Sequence, residues 1–73
     1  MLVQFFAGPK GSKEAEEVII EKELNTLPIV GDILIHTDIN GGEKEFVVHG
    51  INWQHYAKHN DFIVQVFLNW TRR

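Results

Sequence analysis

Chemistry in this sequence would have to come from its four histidines, since it contains no cysteine and a single serine. His55 and His59 are four residues apart. On a helix that spacing would bring both imidazoles to one metal ion, with Asp61 adding a carboxylate. Here they fall at the end of a predicted strand and in a loop, so no shared face is implied. Separate exposed histidines, with no metal and no cofactor, are the expected arrangement. His36 and His49 lie on the two arms of a predicted hairpin. Paired across it they would make a pH-sensitive contact, but two histidines on the solvent face of a sheet are the simpler expectation. Ser12 has no histidine nearby in sequence, and the glutamates at 14, 16, 17, 21 and 23 read as a solvated face. The stretch Gly8-Pro9-Lys10-Gly11 is too short to cradle a phosphate and precedes no strand–loop–helix unit. The residues therefore predict a protein that is not an enzyme.

Binding chemistry is better represented. Trp53, Tyr56 and Trp70, interleaved with Asn52, Gln54 and Asn69, suit a platform on which planar rings stack. Lys44, Lys58, Arg72 and Arg73 offer cations for a small planar anionic ligand of nucleotide-like character, and Arg72 follows Trp70 closely. The net charge is −3 and the isoelectric point about 5.7, so no basic field favours nucleic acid. No apolar run approaches the ~20 residues that span a bilayer. Met1–Ala7 lacks the basic leader of a secretory signal, and a cytoplasmic location is expected.

These residues must be positioned by a small fold. Seventy-three residues predict one domain over 1–73. A chain of this size buries only roughly 60% of its unfolded surface, so its core needs supplementing. Disulfides are excluded by composition; five Phe, two Trp and one Tyr are enough for an aromatic core. Leu2–Phe6 is strand-prone, with Val3 and Phe5 on one face and Leu2, Gln4 and Phe6 on the other. Gly8–Ser12 breaks the chain. Residues 13–16 favour a short helical turn, and residues 17–24 favour a strand through Val18-Ile19-Ile20, with a helix across 13–24 the competing reading. The pivot is Leu27-Pro28-Ile29-Val30-Gly31-Asp32-Ile33-Leu34, a turn anchored by apolar flanks in which Gly31 supplies a positive φ.

Beyond it, Asp32–Thr37 alternates as a strand, and Asn40-Gly41 marks a hairpin through its tolerance of positive φ. Glu45–His55 is expected to return as a long strand, with Phe46 and Val48 facing one way and Val47, His49, Ile51 and Trp53 the other. Gly50 inside it marks a bulge or bend. Tyr56–Asp61 is a polar connection. Phe62–Trp70 closes the fold, with Val64, Val66, Leu68 and Trp70 opposed to Ile63 and Phe67. The expected fold is all-β, with at most one short helix: a five-stranded meander curled into a small barrel.

The Leu-Pro-x-Val-Gly-Asp-x-Leu turn, the glycine-containing hairpin, Phe-x-Val-x-Gly-Ile-x-Trp and the final Val-x-Val-x-Leu strand resemble small uncharacterised barrel proteins of bacteria and phages. The resemblance spans roughly residues 17–70. It implies a small barrel of the Src-homology type, and its motifs describe turns rather than chemistry. Strands that are apolar on both faces, and the edges of an open barrel, need covering. A binding module acting through protein–protein contacts, as a homo-oligomer, is therefore expected, with Phe6, Ile63 and Phe67 as its interface. The alternative is a nucleotide-like ligand held at a subunit interface by Trp53, Tyr56, Trp70 and Arg72.

Overall fold

The computed structural model describes residues 1–8 and 17–71. It contains five strands: β1 (Leu2–Ala7), β2 (Glu17–Glu23), β3 (Ile33–Thr37), β4 (Glu43–Tyr56) and β5 (Asp61–Trp70). Among the described residues there is no helix, and so none long and apolar enough to cross a membrane. The β-branched run Val18-Ile19-Ile20 forms β2, as its stiff side chains favour. The helical turn expected at 13–16 lies outside the described residues.

The strands form one mixed sheet in the order β2-β1-β5-β4-β3. The pairs β1/β2, β3/β4 and β4/β5 are antiparallel, as in a meander. β1 and β5 then join in parallel, Val3 beside Val64 and Phe5 beside Val66. That pairing curls the meander into a half-barrel. It stays open between β2 and β3, where no two Cα atoms approach within 8 Å.

The inner face holds the core: Val3, Phe5 and Ala7 from β1, Phe46 and Val48 from β4, and Val64, Val66 and Leu68 from β5. Alternation sets this pattern, since inward residues recur every second position. Ile19, Ile20, Leu24, Leu27, Leu34, Ile51 and Trp70 pack around its margin. The glycine at 50 marks a bulge as expected, because the β4/β5 register shifts between Val48 and Gly50. That shift corrects the expected facing of β4. One extra residue resets the parity, so Ile51 and Trp53 pair with Val66 and Val64 and share the inner face with Phe46 and Val48.

The pivot turn is built as its residues suggest. Asp32 N–H donates to Ile29 O at 3.0 Å, and Ile29 N–H donates to the Asp32 carboxylate at 2.9 Å. Gly31 sits at φ +100° in the third position, where a type II turn requires a positive value. The turn is tied to the bulge by two further bonds: Gly31 N–H to Val48 O at 2.8 Å, and Val48 N–H to Asp32 O at 2.9 Å.

The β3/β4 hairpin differs from expectation in one detail. Only Gly41 has a positive φ (+85°); Asn40 does not. Gly41 N–H donates to Asp38 O and Asp38 N–H to Gly42 O, which makes a three-residue loop with a glycine after the turn. The Asp38 carboxylate organises this loop by accepting from Asn40 N–H at 2.9 Å and Gly42 N–H at 2.8 Å. Those two bonds, Gly42's first, hold its pKa below the ordinary 3.8. A depressed carboxyl pKa adds stability above the unfolded value, and that stability is lost as pH falls through the folded value. Asp38→Ala should therefore lower stability at neutral pH and flatten the acid limb of a denaturation-against-pH profile. An unchanged acid limb would show that the carboxylate does not hold the loop.

Candidate interaction surface

The residues expected to form a stacking platform are distributed over both faces and both ends of the sheet. Trp53 is opposite Val64 on the inner side, and Trp70 lies six residues further along β5, roughly 20 Å away at ~3.3 Å per residue. Tyr56 pairs with Asp61 at the far end of the β4/β5 hairpin, on the opposite face from Trp53. Trp53, Tyr56 and Trp70 thus do not share one surface, because the bulge moves Trp53 inward and strand length separates it from Trp70. Arg72 lies outside the described residues.

Each tryptophan has its own setting. Trp53 is 54% exposed and meets Phe62 edge-on at 5.9 Å, while His55 lies over the same Phe62 at 4.7 Å. His55 also contacts the Asn60 side chain at 3.2 Å through Nε2. Trp70 is half-buried against Phe46 at 4.7 Å, and its indole N–H donates to Gly8 O at 2.8 Å. Beside it, His36, Lys44, Phe46 and Ile19 line a recess of about 410 Å³ at one end of the open slot.

The histidines do not converge. His36 on β3 is opposite Lys44 on β4, whereas His49 sits at the bulge with its ring 6.3 Å from Phe67, so the two histidines are separate and the alternative of a pair across the hairpin does not form. Hairpin register accounts for this: β3 reaches only as far as Val47 on β4, and its first residue takes that partner. No group of three or more His, Asp or Glu able to hold a metal occurs among the described residues.

The outer face carries the residues expected to form an interface. β1 and β5 align Leu2 with Ile63, Gln4 with Gln65 and Phe6 with Phe67. Phe6 and Phe67 stack at 5.5 Å, and Val18 on β2, 45% exposed, pairs with Phe6. Between this row and the Leu2/Ile63 row runs a polar one. Gln4 Nε2 donates to Glu21 Oε1 at 3.2 Å, and Asn52 Nδ2 donates to Gln65 Oε1 at 2.9 Å. Phe6 and Phe67 are therefore adjacent, and Ile63 shares their face across one polar row. No family model, curated protein or solved structure matches this chain.

Sequence reasoning missed a further feature of this face. Ile33 and Ile35 on β3 are each 55% exposed, and Ile29 and Val30 in the preceding turn are 68% and 62% exposed. Their alternation with Leu34 and His36 was legible. That no strand among the described residues would lie beyond them was not, because it depends on β1 choosing β5 as its second partner.

Proposed function

We propose that this chain is a non-enzymatic small half-barrel that works through protein–protein contacts, as a homo-oligomer. One observation carries the reading: the sheet's outer face bears a stacked Phe6–Phe67 pair flanked by Val18, and a second apolar row of Leu2 and Ile63. An antiparallel sheet covered on one side ordinarily presents polar residues on the other. Here two apolar rows flank a single polar one, and apolar clusters rimmed by polar residues are what contact surfaces present. Burying a Phe or Leu side chain contributes roughly 1.5–3 kcal/mol, a large share for a small domain. Light scattering at micromolar concentration tests it. The expected mass is a multiple of 8.4 kDa, and Phe67→Asp lowers it while circular dichroism still reports strands. A soluble, stable monomer of the parent chain would defeat the reading.

A further inference from the structure

We propose that the free edge of β3 pairs antiparallel with β3 of a second copy, across a two-fold axis at Ile35. This rests on the homo-oligomer reading and names the edge that such an assembly uses.

The hydrogen-bond pattern sets the geometry. Val48 N–H donates to Asp32 O and Asp38 N–H donates to Gly42 O, both at 2.9 Å, one main-chain bond each, which places Asp32/Val48 and Asp38/Gly42 at the hydrogen-bonded positions of the ladder. Bonded pairs alternate along an antiparallel ladder. Leu34 and His36 therefore turn their main-chain groups toward β4, and Ile33, Ile35 and Thr37 turn theirs away. On that side β3 has no strand among the described residues.

The two edges of the sheet are not equivalent. β2 carries Glu21, Lys22 and Glu23 and a register shift against β1, features that discourage further pairing. β3 reads Ile-Leu-Ile-His-Thr, with no lysine, proline or bulge, and exposes Ile33 and Ile35. A β2–β2 pairing centred on Ile20, Glu21 or Lys22 would set Glu against Glu or Lys against Lys, and like charges directly opposite are destabilising.

A second copy fits the β3 edge because the edge is its own complement. Centred on Ile35, the pairing sets Ile33 beside Thr37 of the partner subunit and Ile35 beside Ile35 of the partner subunit. All three outward-facing residues of each strand then exchange main-chain bonds, about six in all at two per pair. Ile35 gains an isoleucine neighbour on the outer face, and Leu34 meets His36 of the partner subunit on the inner one. At each end Asp32 lies near Asp38 of the partner subunit, with both carboxylates already drawn into their own turns. Added salt should therefore tighten the pairing. The contact is isologous, and since β3 lies two strands from β5 it leaves the Phe6–Phe67 face open for the contact proposed above.

The chain lacks cysteine, so a single introduced thiol is a clean probe. Hydrogen-bonded antiparallel partners have Cα atoms about 5.5 Å apart, within the range a disulfide spans. Ile35→Cys should oxidise at micromolar concentration to a covalent dimer, while Val18→Cys, exposed on β2, should not. Ile35→Lys should lower the mass seen by light scattering. Its side chain is exposed and its N–H points away from β4, so the variant's own fold is preserved and circular dichroism checks this. Equal cross-linking at both positions, or an Ile35→Lys variant of parental mass, overturns the β3 pairing. If the second result comes with a Phe67→Asp variant of reduced mass, the homo-oligomer stands and only the edge is wrong. A parent chain of 8.4 kDa overturns both.

Discussion

Phe46→Ala should be the most damaging single truncation in the core, costing ~3–5 kcal/mol. Phe46 is 1% exposed and belongs to the central buried cluster, with its ring 4.7 Å from that of Trp70. Removing it deletes buried apolar surface and leaves a hole that neighbouring strands cannot close, because each is fixed by its own ladder. A 73-residue domain has a total stability of about 4–11 kcal/mol by the usual per-residue range. The loss is therefore comparable to the whole. Urea denaturation should show the midpoint collapsing or the variant unfolded in buffer, and Phe46→Leu should recover most of the difference. A Phe46→Ala variant within ~1 kcal/mol of the parent would move the core away from this ring.

Gly31→Val is expected to destabilise by ~1–3 kcal/mol, through the backbone rather than through crowding. No neighbouring heavy atom lies within 4 Å of where a Cβ would sit, so a side chain has room. The conflict is with φ +100°, which a β-branched residue adopts only under strain. Relaxing that angle would pull Gly31 N–H from Val48 O and disturb the Val48–Asp32 bond that ties the turn to the bulge. Gly31→Asn should cost less than Gly31→Val, since asparagine tolerates positive φ better. Thermal melts of the three proteins check the ranking. Equal melting of parent and valine variant would mean that the turn does not need its glycine.

Much of the fold could be read from the sequence wherever the determinants are local. The Gly31 turn depends on its own four residues and the bonds they make to one another, and it forms as those residues dictate. The hairpin at Gly41 was legible for the same reason, although the loop needs a positive φ at only one residue. Faces of the strands followed from alternation until Gly50. There a single extra residue reversed the expected sides of Ile51 and Trp53, and with them the expected aromatic platform. Periodicity carries no information about how many residues a bulge consumes. The outer-face neighbours Phe6 and Phe67 were individually visible as residues opposed to the core, but their stacking requires the parallel β1/β5 register. No local signal specifies a pairing between strands more than fifty residues apart.

That β1/β5 pairing also governs the order in which the molecule can come into being. β1 lies between β2 and β5, so Val3 and Phe5 reach their full surroundings only when Val64 and Val66 are present. During synthesis the β1/β2 hairpin can form early, yet it must wait with its apolar inner face uncovered until nearly all of β5 has been made. Contacts between such distant segments carry a large loop-closure cost before they return any burial, and chains dominated by them fold slowly. Until β5 pairs with it, β1 keeps one edge unpaired, and unpaired strand edges in a partly folded chain invite the wrong neighbours.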